Sequence, residues 1–113
     1  MNRVDLIIYP VSDVAKATKF YTTLLGTEPY ADSPYYVGFK AGETEIGLVP
    51  KTPGMNGALA YVNVDDIDAA MRALLAAGAE KLQDPTDVAQ GLLVASVKNL
   101  DGTAIGLRQF PKS

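Results

Sequence analysis

The stretch VSDVAKATKFYTTLLG, at residues 11–26 of this 113-residue chain, carries the pattern on which the fold prediction depends. Asp13 stands at a helix N-cap position, apolar residues follow at the spacing of an amphipathic helix, and a glycine ends the run. A second stretch, VDDIDAAMRALLAAGA at 64–79, repeats this arrangement with Asp65 and Asp66 ahead of its helix. We expect all three aspartates to cap helices rather than transfer protons, and the repeat indicates a duplicated module.

Strand patterns surround each of the two helices. Runs of β-branched and apolar residues predict strands at 4–11, 35–40, 44–50, 58–64, 92–98 and 103–110. Proline, aspartate and other turn formers predict loops at 27–34 and 84–87 and a hairpin turn at 99–102. These elements predict one α+β domain over 1–113, made of module one (1–52), a linker (53–57) and module two (58–113).

Composition excludes several classes of protein. The net charge of −3 does not supply the basic surface that nucleic-acid binding requires, and no apolar run approaches the ~20 residues that cross a membrane. The chain enters a strand pattern without a leader segment, so we expect a cytoplasmic protein. It contains no histidine and no cysteine, which excludes histidine triads, thiolate nucleophiles and the usual zinc ligands.

The two helix stretches resemble the vicinal oxygen chelate superfamily, which contains glyoxalases, extradiol dioxygenases and bleomycin-resistance proteins. The first stretch is similar to the family pattern of V-x-D, an F-Y pair and a closing L-G. The second, followed by NLDGTAIGL at 99–107, is similar to its V-D-D and D-G patterns. The resemblance covers essentially the whole chain. It implies two tandem βαβββ modules that form a curved mixed β-sheet cup with flanking helices, but it does not imply one reaction.

The resemblance also implies where a metal would bind in this chain. Metal-using members place one ligand on the first strand and one on the last strand of each module, and these positions fall on Leu6, Gly47, Leu59 and Gly106. Leucine has no donor atom and glycine has no side chain, so the implied ligand set is empty. A shift by one residue does not restore it, because Asp5 points to the opposite face of its strand. We therefore predict no metal and no other cofactor.

Strand alternation predicts the rest of the cup lining. If the four positions point inward, their second neighbours do so as well: Ile8, Glu45, Val49, Tyr61, Asn63, Ala104 and Arg108. Such a lining, mostly apolar with a few polar groups, is typical of a small-molecule pocket. The two glycines are expected to leave space there for a ligand.

Two charged residues in this lining have more than one interpretation. Arg108 could hold a carboxylate or phenolate of a ligand, and Glu45 could accept a hydrogen bond from a hydroxyl or amine. Alternatively, the two side chains form a partly buried ion pair or lie at an exposed edge.

The aromatic residues of module one also leave alternatives open. Tyr30, Tyr35 and Tyr36 either form a lid over a flat ligand or pack over the helix or at a dimer interface. Within the helix, we expect Phe20 and Tyr21 to belong to the core.

The leading functional prediction is a metal-independent small-molecule-binding protein of the glyoxalase/bleomycin-resistance type, with an apolar or aromatic antibiotic or metabolite as its ligand. The alternative is a metal-independent isomerase, cyclase or lyase, with Glu45 as base and Arg108 or Tyr61 as anion stabiliser. A third possibility is a structural or regulatory domain with a collapsed cup and a protein partner. The resemblance implies a homodimer. The predicted ligand-binding residues are Leu6, Ile8, Tyr35, Tyr36, Gly47, Val49, Leu59, Tyr61, Asn63, Gly106 and Arg108.

Overall fold

The computed structural model describes residues 1–55 and 57–112, and the chain divides into two compact units. The first unit comprises residues 5–59, and the second comprises residues 60–113 together with 1–4. The described elements, in chain order, are β1 (Arg3–Val11), α1 (Val14–Leu25), β2 (Ala31–Asp32), β3 (Val37–Ala41), β4 (Thr44–Pro50), β5 (Leu59–Asn63), α2 (Ile67–Ala76), β6 (Glu80–Ala89), β7 (Leu92–Lys98) and β8 (Ala104–Gln109). The α+β class predicted from the sequence is therefore confirmed.

The first unit packs one helix against a four-stranded sheet. Its strands lie in the order β2-β3-β4-β1, with β1 parallel to β4 and the other neighbours antiparallel. The core beneath α1 is centred on Val37, Phe39 and Leu48, which are fully buried. Tyr21 of α1 packs on Tyr9 of β1, with ring centroids 5.4 Å apart. The neighbouring Phe20 was predicted to be a core residue but is 61% exposed, because it lies on the outer side of the helix.

The second unit repeats this arrangement. Its strands lie in the order β5-β8-β7-β6, with β5 parallel to β8 and antiparallel pairing elsewhere. Ile67 and Met71 of α2 pack against Ala95, Val97 and Leu107 of the sheet. Asn99 builds the predicted hairpin turn between β7 and β8, because its side-chain oxygen accepts hydrogen bonds from the backbone of Asp101 and Thr103, both at 2.9 Å.

Both helices begin at a predicted aspartate. The Asp13 carboxylate accepts a hydrogen bond from the Lys16 backbone N–H at 3.0 Å, and Asp66 accepts one from Ala69 at 3.0 Å. Each bond satisfies a backbone donor that the first helical turn leaves without a partner. Asp65 was also expected to be a cap, but the cap of α2 is Asp66, and Asp65 precedes it as an exposed residue.

The structure corrects three of the sequence-based boundaries. The predicted loop at 84–87 lies inside the long strand β6, and the predicted loop at 27–34 contains β2. The strand predicted at 35–40 begins instead at Val37, because Ser33 Oγ accepts hydrogen bonds from the backbone of Tyr35 and Tyr36 and holds them in a turn. Neither described helix has the length and apolarity that a membrane crossing requires.

Candidate functional site

In the first unit, the face of the sheet turned away from α1 carries the predicted site residues. The strand register places Leu6 beside Glu45, Ile8 beside Gly47 and Pro10 beside Val49. The intervening residues of β1 and β4 belong to the core beneath the helix. Since side chains alternate along a strand, Leu6, Ile8, Glu45, Gly47 and Val49 share the opposite face, which we call the distal face.

The glycine positions of the distal face are covered by neighbouring side chains. A Cβ atom at Gly47 would lie 2.6 Å from Ile8 Cδ1 and 2.8 Å from the Tyr36 hydroxyl oxygen. At Gly38, which is the cross-strand partner of Gly47, a Cβ would lie 2.7 Å from Cζ of Tyr30. The expectation that Gly47 leaves space for a ligand is therefore wrong. The absent side chain instead allows a tyrosine ring to lie directly on the backbone.

The two tyrosines on these glycines lie near each other, and one of them, Tyr30, is hydrogen-bonded to Glu45. The Tyr30 hydroxyl donates to the Glu45 carboxylate at 2.5 Å, and the Tyr36 side chain lies close enough to Tyr30 to raise its pKa. The Lys40 ammonium lies over the Tyr30 ring, 5.4 Å from its centroid. Burial, followed by the hydrogen bonds to Glu45 and Tyr36, raises the pKa of Tyr30 far above its ordinary value. The Tyr30 hydroxyl is thus held in its protonated, donating form.

The tyrosine-rich loop therefore divides its residues between two environments. Tyr30 and Tyr36 lie on the distal face of the sheet, not over α1, whereas Tyr35 points to solvent and is 79% exposed. Sequence reasoning grouped all three tyrosines but did not connect Tyr30 with Glu45. Fifteen positions separate the two residues, so no local pattern reports their contact. The pairing of β3 with β4 is the feature that could have indicated this contact. In that hairpin, Gly38 pairs with Gly47 and Lys40 pairs with Glu45.

The second unit has a related arrangement on the sheet face turned away from α2. Tyr61 lies beside Gly106, and Asn63 lies beside Arg108. The Tyr61 ring covers the place where a side chain of Gly106 would stand, so this glycine does not leave space either. Burial raises the pKa of the Tyr61 hydroxyl, and the nearby Arg108 partly opposes that shift.

Arg108 lies within the second unit and not at an exposed edge. Its side chain is only 7% exposed, and its guanidinium carbon lies 4.8 Å from the ring centroid of Phe110. This geometry is that of a cation–π contact. Of the other predicted lining residues, Leu59 begins β5 and Ala104 begins β8, and both are half-buried.

The four positions at which the family implies metal ligands do not fit a metal ion. Leu6 and Leu59 carry no donor atom, and the rings of Tyr36 and Tyr61 occupy the spaces beside Gly47 and Gly106. Throughout the described ranges, no three carboxylate, imidazole or thiol side chains come together as a metal cluster.

Two open grooves lie on the helix side of the first unit. One of about 690 Å³ runs between α1 and the loop at 32–34, and another of about 440 Å³ lies beside Phe20 and Leu24. Neither groove is lined by a residue of the distal face, so neither belongs to the predicted site.

Comparison with known proteins agrees with this fold. Residues 3–107 match the Glyoxalase/Bleomycin resistance protein/Dioxygenase superfamily, and the chain belongs to that family. Curated relatives in Mycobacterium bovis and Mycobacterium tuberculosis, each called "Putative glyoxylase CFP32", are 28% identical to it over 96% of this chain. The chain spans only 44% of the length of those relatives.

Solved structures share the fold at low sequence identity. A hypothetical protein from Bacillus halodurans, BH1468, is 18% identical with a TM-score of 0.81, covering 99% of this chain and 96% of that one. Methylmalonyl-CoA epimerase from Streptomyces coelicolor, in complex with 2-nitronate-propionyl-CoA, is 16% identical with a TM-score of 0.76, covering 99% of each chain. Methylmalonyl-CoA epimerase from M. tuberculosis is also 16% identical, with a TM-score of 0.75 over 97% of this chain and 88% of that one.

Proposed function

We propose that this chain is a metal-independent small-molecule-binding protein that holds an apolar or aromatic ligand against the distal face of its first unit. The observation that carries the proposal is the pair Tyr36 and Gly47. A tyrosine ring and hydroxyl stand at a position where metal-using members of the family are expected to supply a metal ligand. The site therefore offers aromatic surface and hydrogen bonds in place of a metal.

Metal independence is supported by the chemistry of the residues present. The chain contains no histidine or cysteine, and the four implied ligand positions hold only leucine and glycine. Recognition would then depend on contact with Leu6, Ile8 and the Tyr36 ring, and on the hydrogen-bonded pair of Tyr30 and Glu45. This combination of apolar area with a few fixed polar groups is typical of small-molecule sites.

A ligand screen with two matched variants tests the proposal. We expect some members of a panel of aromatic metabolites and antibiotics to raise the unfolding temperature of the unaltered protein. Tyr36→Ala should weaken such binding by about tenfold or more, because it removes the ring from Gly47. Tyr35→Ala should leave it unchanged, since that side chain points to solvent. A panel without a single stabilising compound, or equal losses in both variants, would contradict the proposal.

A second candidate function is a metal-independent isomerase, cyclase or lyase that acts by proton transfer. The observation in its favour is the hydrogen bond of Glu45 with Tyr30, which fixes a carboxylate in the predicted site. Arg108 or Tyr61 would stabilise the developing anion. The fold is shared with methylmalonyl-CoA epimerase, an enzyme, although likeness at 16% identity shows the fold alone.

The enzyme candidate is tested with Glu45→Gln and any compound that the ligand screen identifies. If Glu45 is the base, turnover falls by about a hundredfold or more while the dissociation constant changes little. Equal turnover in the variant would exclude Glu45 as the base. Retained binding without turnover in either protein would favour the binding function.

The proposal also includes the homodimer that the family resemblance implies and the cytoplasmic location expected from the sequence. Sedimentation should give a mass near twice the chain mass of 12.0 kDa at micromolar concentration. A mass of one chain under those conditions would contradict the dimer without affecting the binding function.

A further inference from the structure

The outer face of α1 presents two large apolar side chains to solvent. We define this face by the exposed residues of the helix: Ala15, Lys16, Lys19, Phe20, Thr23 and Leu24. The opposite side of the helix, with Ala17, Tyr21 and Leu25, packs on the core. Phe20 is 61% exposed and Leu24 is 63% exposed. Because residues four apart are neighbours on a helix, the two side chains form one apolar projection.

A groove lies beside the first half of the same helix. It has a volume of about 690 Å³ and runs between α1 and the loop at 32–34. Val14, Ala15 and Thr18 line it on the helix side, and Pro34 lines it on the loop side. The Thr18 hydroxyl donates its proton to the Val14 carbonyl at 2.7 Å, so the helix wall does not require a polar occupant. The groove is therefore suited to apolar side chains.

Hydrogen bonds hold the loop wall of the groove in place. The Ser33 hydroxyl donates to the Tyr36 carbonyl and accepts from the Tyr36 backbone N–H, both at 3.1 Å. Asp32, which precedes this turn, pairs with Val37 in the sheet. A preformed groove binds its occupant with little loss of conformational freedom, and this favours affinity.

The projection and the groove occupy opposite halves of one helix. α1 has 12 residues and is about 18 Å long, with the groove along its first half and Phe20 and Leu24 in its second half. A two-fold axis perpendicular to the middle of α1 sets the helices of two copies antiparallel and exchanges these halves. The projection of each copy then lies over the groove of the other. Such a self-complementary surface is what a closed, two-fold dimer requires.

Two charged side chains agree with the same arrangement. Lys19 lies between the groove and the projection and borders both, and Asp32 lines the groove. Entry of the projection into the groove of a second copy brings Lys19 to the partner's Asp32, and the two-fold axis repeats this contact. Opposite charges that meet across an interface fix its register and select the correct partner.

We propose that the outer face of α1 is the surface on which a second copy of this chain docks, with Phe20 and Leu24 in the partner groove and Lys19 beside the partner's Asp32. The inference rests on the homodimer included in the proposed function and names the surface that forms it. A second copy is the occupant because one surface supplies both the projection and the groove that receives it. The groove and the distal face have different lining residues, so dimer formation and ligand binding are tested separately.

Leu24→Ser tests the apolar part of this interface. Measured by sedimentation, the dissociation constant of the dimer should rise about tenfold or more, because the variant removes half of the projection. Leu100→Ser is the matched control, since Leu100 is an exposed leucine in the hairpin turn of the second unit. It should leave the dissociation constant unchanged. Circular dichroism checks that both variants are folded.

Lys19→Asp and Asp32→Lys test the charged contact and show whether it joins two copies. Each variant alone places like charges at both contacts of its homodimer, so each should dimerise about tenfold more weakly or worse. When the two variants are mixed, one copy carries only acidic side chains at positions 19 and 32 and the other carries only basic ones. Both contacts are then attractive, and native mass spectrometry should detect the mixed dimer. An ion pair within one chain would not be restored by mixing.

The outcomes separate this inference from the homodimer on which it rests. If the unaltered protein sediments as a single chain at micromolar concentration, the homodimer is contradicted, the inference falls with it, and the groove is left to a small molecule or a different protein. If the dimer forms and its dissociation constant is the same in Leu24→Ser and in both charge variants, the homodimer stands and this interface is overturned. If the charge variants weaken the dimer but their mixture does not restore it, the contact between Lys19 and the partner's Asp32 is overturned.

Discussion

Individual glycines determine how the distal face is built. The backbone at Gly47 is extended, so the fold does not need glycine there for a special φ angle. It needs glycine because there is no room for a side chain. Ile8 and Tyr36 occupy the volume that a Cβ atom would require. The same relation holds for Gly38 with Tyr30 and for Gly106 with Tyr61. In each unit, the missing side chain of a glycine therefore allows a tyrosine ring to pack against the backbone.

Gly47→Ala tests this packing. The added methyl would lie 2.6 Å from Ile8 Cδ1, and we expect a loss of about 1–3 kcal/mol of unfolding free energy, the usual cost of overpacking. Ile8→Val removes that δ-methyl group and should partly restore the stability of the alanine variant. Chemical denaturation of both single variants and the double variant measures the coupling. Strictly additive effects would show that Gly47 and Ile8 do not compete for space.

Tyr30 gives the first unit a pH dependence. Its pKa is raised above the ordinary value of about 10, because burial and the hydrogen bonds to Glu45 and Tyr36 favour the protonated hydroxyl. Above pH 10 the unfolded chain releases this proton while the folded chain keeps it, so the free energy of unfolding falls as pH rises. Below pH 10 the contribution is complete. Denaturation between pH 8 and 11 should show a smaller fall in Tyr30→Phe than in the unaltered protein, and parallel curves would exclude Tyr30 as the cause.

At the scale of elements, the caps and the strands differ in how far the sequence predicts them. Asp13 and Asp66 were identified as caps because a helix start has a local signature of polar cap and apolar spacing. The sequence did not predict strand β6, because β6 is an edge strand with little apolar patterning. Apart from the half-buried Pro85, all its residues are exposed. Its pairing with β7 also shifts register three times, so no alternation of apolar residues marks it.

The two neighbouring aspartates before α2 provide a matched test of the cap. Asp66→Ala removes the acceptor for the Ala69 N–H, and we expect it to cost about 1 kcal/mol of unfolding free energy. Asp65→Ala changes the same residue type one position earlier and should cost less than about 0.5 kcal/mol, as exposed substitutions usually do. Thermal denaturation of the two variants gives the comparison. A greater loss of unfolding free energy in Asp65→Ala than in Asp66→Ala would show that Asp65, and not Asp66, caps the helix.

At the scale of the whole molecule, the repeated module predicted the fold, but only part of the site could be predicted. Alternation along β1 and β4 places Leu6, Ile8 and Glu45 on one face, and the structure has them there. The same reasoning treated Gly47 as empty space, because a sequence does not show which distant ring will fill it. Local periodicity thus predicts the direction of a side chain, whereas the contact between Tyr36 and Gly47 depends on the turn at Ser33.

The absence of donor atoms at the four implied ligand positions leads to a prediction for the complete chain. A metal that binds only the folded protein stabilises it by about 2.7 kcal/mol at a hundred times its dissociation constant. Because Leu6, Gly47, Leu59 and Gly106 supply no ligand, we expect zinc, manganese and nickel ions to leave the unfolding temperature unchanged, with or without EDTA. A saturable rise at one metal ion per chain, reversed by EDTA, would contradict metal independence. Such a site would then have to use oxygen ligands outside these four positions, since the chain has no histidine or cysteine to offer.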